Sequence, residues 1–225
     1  MKRSYLFSVL KIDFFYKIIN RFCLSDRWIQ RFSYWVTLIE KKDTETLNEN
    51  ELNKDKYLCK KILIIRVWDI NCEKSLNKQA WKIRELLKPR IDISNKTESF
   101  INDLPTHQLL VGMHARRGDY KSWNNGLYYY SWSDYRKWIT DLTLHYKNIG
   151  TNVLILICSD EKPPTYIYTS PNTYVSENNY IVDLYLLSSC EIILGPPSSF
   201  ASWANFYGEN KRIVIHDKNQ KVLSS

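Results

Sequence analysis

The sequence predicts an α/β protein built on a doubly wound parallel sheet, and three observations carry that expectation. Short apolar, β-branched runs alternate with stretches of helical period from residue 62 to residue 216. One of these runs, Val153–Cys158, is apolar throughout, as expected of a strand covered on both faces. Gly (6) and Pro (7) are scarce in 225 residues, which speaks against an all-β fold rich in tight turns.

The elements follow in order. Residues 5–24 are apolar but broken by Lys11, Asp13, Lys17 and Arg21. A spanning helix needs about 20 mostly uncharged residues. This stretch therefore predicts a helix docked on another domain, with an interfacial helix on anionic lipid as the alternative. No small-residue cleavage site follows it. Residues 40–57 are polar without an apolar period and read as a linker. The expected division is thus 1–58, an N-terminal helical segment with its linker, and 59–225, one α/β domain. Ile62–Trp68 predicts a buried strand, and Asn77–Lys88 a helix ended by Pro89. Asn95 and Glu98 form a capping-box-like pair before a short helix. Leu109–Ala115 is the next strand; Ser131 with Asp134 opens a helix to about Tyr146. Strand Val153–Cys158, helix Ile181–Ser189 and strand Ile192–Leu194 come next. A helix over Ser199–Tyr207, with Gly208 as its C′ residue, precedes a last strand, Arg212–His216.

Composition excludes several classes. Hydrophobic residues at 44% and charged residues at 25% are globular values. Five cysteines, 23, 59, 72, 158 and 190, have no metal-ligand spacing. They read as free thiols of a reducing compartment, so no metal site is expected. The net charge of +8 suits an anionic partner. Most of its excess lies in residues 1–42, with nine Lys/Arg against three acids. A nucleic-acid interface needs basic stripes interleaved with exposed aromatics, whereas this excess falls in an apolar segment; no nucleic-acid partner is expected.

In doubly wound sheets ligands bind beyond the carboxyl ends of the strands. Three polar clusters fall there: His114-Ala-Arg-Arg-Gly-Asp119, Ser159-Asp160-Glu161 and Gly195-Pro-Pro-Ser-Ser199. Arg116 and Arg117 are adjacent, so both meet one ligand only if the strand has ended before them. A guanidinium fork matches phosphate oxygens, and a surface pair with Asp119 is the alternative. Ser198, Ser199 and Phe200 open a helix whose free N–H groups suit an anion, or serve simply as its cap. Asp183 suits either the helix dipole or the hydrogen-bond donors of a purine edge. His114 reads as a core histidine near a strand end, Asp160 and Glu161 as a solvated turn or part of the site. Asp119 is a general-base candidate. Lys121–Tyr130 is aromatic and polar, like a sugar-contacting loop or a piece of core.

These residues also carry a family resemblance. His114-x-Arg116-Arg117-x-Asp119-Tyr120 resembles the HxRRxD(Y) motif of the bacterial α-1,2-fucosyltransferase-like family. The stretch Asp183–Trp203 resembles that family's downstream donor-site motif, and Ser159-Asp160-Glu161 its strand-end turn. The likeness covers about residues 60–217. It implies a GT-B-like fold with a Rossmann-like donor domain and a reduced N-terminal part. It also implies inverting, metal-independent transfer of L-fucose from GDP-fucose to a sugar hydroxyl of a glycan or lipid-linked glycan. By the resemblance Arg117 holds the β-phosphate, with Arg116 and His114 supporting the nucleotide and Asp160 beside them. Asp183 reads the guanine, and Ser198, Ser199 and Phe200 line the pyrophosphate site. The family's Gly-rich N-terminal start is absent, so a non-catalytic nucleotide-sugar-binding remnant is the alternative. The expected location is the cytoplasm, with residues 1–40 as the segment that would touch the inner face of a membrane.

Overall fold

The computed structural model describes residues 36–40, 46–52, 62–66, 69–71, 73–169 and 172–222. It divides into two compact units, Met1–Leu86 and Leu87–Ser225. In the first, β1 (Val36–Glu40) pairs in parallel with β3 (Ile62–Arg66), and β2 (Thr46–Asn48) with β4 (Asp69–Asn71). A short helix, α1 (Glu49–Leu52), follows β2, and α2 (Glu73–Leu86) closes the unit. The expected linker therefore contains a strand and a helix turn. Leu47 is wholly buried there, and three residues are too few to show a period. The expected boundary at 58 moves to Leu86–Leu87, because the Ile62–Arg66 strand is bonded to β1. Helix α2 runs Glu73–Leu86, not Asn77–Lys88. The N-terminal helix over residues 5–24 and Cys23, Cys59 and Cys72 lie outside the described residues. Among the described residues no helix is long and apolar enough to cross a membrane.

The second unit is the expected α/β sheet. Five parallel strands stand in the order β7-β6-β5-β8-β9: Thr173–Val175, Val153–Ser159, Leu109–Ala115, Ile192–Gly195 and Lys211–Val214. The strand order reverses between β5 and β8, and such a switch point opens a crevice at the carboxyl edge. The edge strand β7 is three residues long and was not visible as a sequence pattern.

Strand parity sets the two faces. Val111, Met113, Ala115, Ile155 and Ile157 pack beneath Tyr135, Trp138, Ile139 and Leu142 of α4 (Trp132–Asn148). Leu110, Leu154, Leu156 and Cys158 face the other way, onto α5 (Tyr180–Ser188) and α6 (Ser199–Gly208). Ile93, Phe100 and Ile101 of α3 (Ile91–Asn102) pack against that second cluster. Cys158 and Cys190 are buried free thiols, and burial pushes both pKa values up.

The Ser131–Asp134 capping box forms as expected, with the Ser131 hydroxyl accepting from the Asp134 amide and the Asp134 carboxylate from the Ser131 amide. The Asn95–Glu98 pair does not cap; both lie inside α3, whose N-cap is Arg90, directly after Pro89. Nor does Gly208 make the left-handed turn after α6. Glu209 does, at φ 55°. Gly208 answers a different demand, since a Cβ there would stand 1.9 Å from the Ser188 carbonyl oxygen. Gly195 likewise lets β8 approach β5, because its Cβ would fall 2.4 Å from the His114 carbonyl oxygen.

Candidate active site

Parity continues past the end of β5 and separates the two arginines. His114 and Arg116 share the even face and line a cavity of about 340 Å³ with Cys158, Ser159, Asp160, Asn178, Tyr180, Asp183 and Phe200. Arg117 turns to the α4 face and is buried. Its Nε donates to Glu161 at 2.8 Å and its Nη2 to the Tyr129 hydroxyl at 2.6 Å; Nη1 donates to the Tyr130 carbonyl. The guanidinium lies 4.5 Å from the Tyr129 ring centroid and 4.8 Å from that of Trp132. Every nitrogen of the Arg117 side chain is thus engaged inside the fold, and it does not line the cavity.

Arg116 is the guanidinium that the cavity receives. It is about a third exposed. Its Nε and Nη2 meet the two Asp119 carboxylate oxygens at 2.9 and 3.0 Å, and Nη1 stands 3.4 Å from Asp160. Asp160 is a structural hub: it accepts the backbone N–H groups of Arg117 (2.8 Å) and Gly118 (3.1 Å), which fixes the turn after β5. The Ser159 hydroxyl ties the same turn to the Ala115 carbonyl at 2.9 Å.

The third cluster meets the first through Tyr120, whose hydroxyl donates to the Pro197 carbonyl just before α6. Ser198 is the N-cap residue of α6 but makes no side-chain capping bond. Phe200 stacks on His114 with centroids 5.1 Å apart. Arg212 was not among the expected site residues. From β9 it donates to the Ser198 carbonyl at 3.1 Å and to the Ser202 hydroxyl, steadying the first turn of α6. Asn178 and Tyr180 were also unforeseen, because a wall formed by the approach to a helix carries no sequence period. A second hollow, about 520 Å³, opens beside the cavity over β6 and β7 and shares Ser159, Asp160 and Asn178 with it.

Residues 29–223 match glycosyl transferase family 11. The chain belongs to that family. No curated protein matches it. Among solved structures, an Arabidopsis thaliana FUT1 variant in complex with GDP is similar at 14% identity and a TM-score of 0.50, over 79% of this chain and 49% of that one. The likeness is one of fold, which is GT-B-like. The Bradyrhizobium NodZ α-1,6-fucosyltransferase soaked with GDP-fucose is 16% identical over 64% of this chain and 51% of its own, at a TM-score of 0.43. POFUT1 in complex with GDP is 12% identical over 73% and 56%, at 0.44. The family 11 chain therefore spans about half the length of these solved structures.

Two titratable groups of this family 11 cavity are shifted by burial in opposite senses. His114 is lowered to about 4, burial outweighing the nearby Asp160 charge. Asp183 is raised to about 6, burial outweighing the hydrogen bond from the Ser176 hydroxyl. Between pH 6.5 and about 4 the unfolded chain binds a proton at His114 that the folded one refuses, so stability falls as pH drops. Between pH 3.8 and about 6 the folded chain keeps a proton on Asp183 that the unfolded one has released, so stability falls as pH rises. Each shift is worth up to about 3 kcal/mol, so the two nearly cancel across their shared window. In Asp183→Asn only the histidine remains. Urea denaturation at stepped pH should then show a loss of about 3 kcal/mol between pH 6.5 and 4 that the natural chain lacks. Equal slopes in the two proteins would exclude the opposed pair.

Proposed function

We propose that this chain is a fucosyltransferase that moves L-fucose, with inversion, from GDP-fucose to a sugar hydroxyl of a surface or lipid-linked glycan. The observation that supports it most is the Arg116 guanidinium facing the same cavity as the Asp183 carboxyl, at the switch point of the sheet. A guanidinium binds phosphate oxygens in pairs, and a carboxylate accepts the paired N–H groups of a guanine edge. His114 and Phe200, stacked on each other, form an apolar wall of the same cavity. The amino end of α6, with Ser198 and Ser199, supplies backbone N–H groups for the diphosphate.

The bond between fucose C1 and the β-phosphate oxygen breaks as the acceptor oxygen bonds to C1 from the opposite face. Negative charge grows on the departing phosphate, where Arg116 and the helix end stabilise it. In this reading the guanidinium, not a metal ion, supplies the positive charge. The acceptor hydroxyl gives its proton to Asp119. That carboxylate is held fork to fork by Arg116. A diphosphate that takes the guanidinium frees the carboxylate, so the donor binds first.

Calorimetry with GDP, GDP-fucose, GDP-mannose and UDP-sugars tests the reading. GDP and GDP-fucose are expected to bind, and UDP-sugars are expected not to. Binding of a UDP-sugar with no response to GDP would overturn it. Release of GDP from GDP-fucose only in the presence of a galactoside or other saccharide separates transfer from binding alone.

A further inference from the structure

The donor reading uses Arg116 and Asp119 at the start of the loop between β5 and α4 but leaves residues 121–130 without a use. The aromatic rings of this loop form a row: Tyr120 stacks on Trp123 at 5.3 Å, Trp123 on Tyr128 at 6.0 Å, and Tyr128 meets the edge of His216 at 6.3 Å. The row begins at the cavity, where the Arg116 guanidinium lies 5.9 Å from the Tyr120 ring centroid. Its middle faces solvent, since Trp123 keeps 49% of its surface exposed and Leu127 56%. Packing inside the unit does not explain an indole held in register by two neighbours and left half in water.

The turn beside the indole is unusual too. Asn124, Asn125 and Gly126 are all left-handed, at φ 47°, 55° and 75°. The two asparagines each cost about 1 kcal/mol in that conformation, although Asn tolerates it better than most residues. Asn124 and Asn125, which directly follow Trp123 in the chain, are exposed as well.

We propose that this loop is a saccharide-binding subsite, in which Trp123 stacks on the C–H face of a pyranose and Asn124 and Asn125 bond its hydroxyls. The claim that this saccharide is the acceptor rests on the fucosyltransferase reading above. The chemistry selects the occupant. A pyranose has an apolar face and a rim of hydroxyls, and so calls for an aromatic surface with donors and acceptors at its edge. A protein partner needs about 800 Å² per side, more than one indole and one leucine offer. A lipid surface calls for a broad apolar face or a cluster of basic residues, whereas this tip offers one indole, one leucine and one lysine around two neutral amides. Two ring contacts separate Trp123 from Arg116. A terminal sugar can therefore reach the carbon beside the diphosphate while the next sugar lies on the indole.

The test uses the full chain with GDP present, titrated with lactose, N-acetyllactosamine, maltose, chitobiose and mannobiose by saturation-transfer NMR. At least one disaccharide is expected to bind. Trp123→Ala should weaken it about tenfold or more, Trp123→Phe should restore most of the affinity, and GDP binding should stay within about twofold. Thermal melting of both variants checks that they fold. Equal saccharide affinity in Trp123→Ala and the natural chain, or no binding by any of the five sugars, overturns the subsite. Failure of GDP to bind overturns the donor reading instead; a saccharide still lost in Trp123→Ala would then leave the subsite standing.

Discussion

Arg116→Ala is expected to weaken GDP binding about 100-fold or more while the protein stays folded. Arg116 is the one expected site cation that lines the cavity, and its two carboxylate partners, Asp119 and Asp160, reach solvent. Its contacts are those of a partly exposed pair, worth about 1 kcal/mol or less to stability. Asp160 keeps its two backbone bonds to Arg117 and Gly118 when the side chain is cut back, so the turn after β5 survives. The loss to a diphosphate is far larger. The fork disappears, and Asp119 and Asp160 then face the phosphates uncompensated. Arg116→Lys keeps the charge but not the paired geometry, and roughly a tenfold loss is expected. Calorimetry with GDP beside urea denaturation separates the two effects. An unchanged dissociation constant in Arg116→Ala would remove the cavity as the diphosphate site.

The sheet was legible because its strands are long or apolar enough to declare themselves. Leu109–Ala115 and Val153–Ser159 bury nearly every residue, and the Ser131–Asp134 box marks a helix start by chemistry rather than by propensity. What escaped is short or set by partners distant in sequence. Strands β2, β4 and β7 have three residues each, and pairing with a neighbour holds them in place. The Asn95–Glu98 motif has the right spacing but sits one turn inside a helix that Pro89 had already permitted to start. Gly208 looked like a helix stop, yet its missing side chain serves a contact with Ser188 on another helix.

The same limit governs the site. The sequence placed three clusters at one sheet edge; in the structure His114, Arg116, Ser159 and Asp160 of the first two line the cavity with Asp183 and Phe200, and no residue of Gly195–Ser199 does. The resemblance assigns the β-phosphate to Arg117, whereas in the structure Arg116 lines the cavity and Arg117 is buried on the other face. Two identical side chains in a row differ only in parity, and parity past a strand end depends on the turn that Asp160 fixes from another strand. The signal that would have decided the matter was local after all. Tyr129, Tyr130 and Trp132 crowd the side to which an odd-numbered residue points, and a guanidinium buried among aromatic rings is a packing element.

Arg117→Ala should therefore act on stability and hardly on the nucleotide. Arg117 is 7% exposed in the fold. Its removal strips the Tyr130 carbonyl, the Tyr129 hydroxyl and the Glu161 carboxylate of a shared donor and empties the space between two rings. Breaking a buried charged network of this kind costs about 3–5 kcal/mol, and cation–π contacts desolvated to this degree contribute to that loss. Against a domain stability of about 5–15 kcal/mol this is a large fraction. Thermal melting should fall by roughly 10 °C. Arg117→Lys should recover little, because a single ammonium cannot serve three acceptors in the plane between two rings. At low temperature, where the variant is still folded, GDP affinity should stay within about threefold of the natural chain. The reverse outcome, unchanged melting with GDP binding lost, would mean that Arg117 swings out to the diphosphate and that the internal clamp seen around it is not its working position.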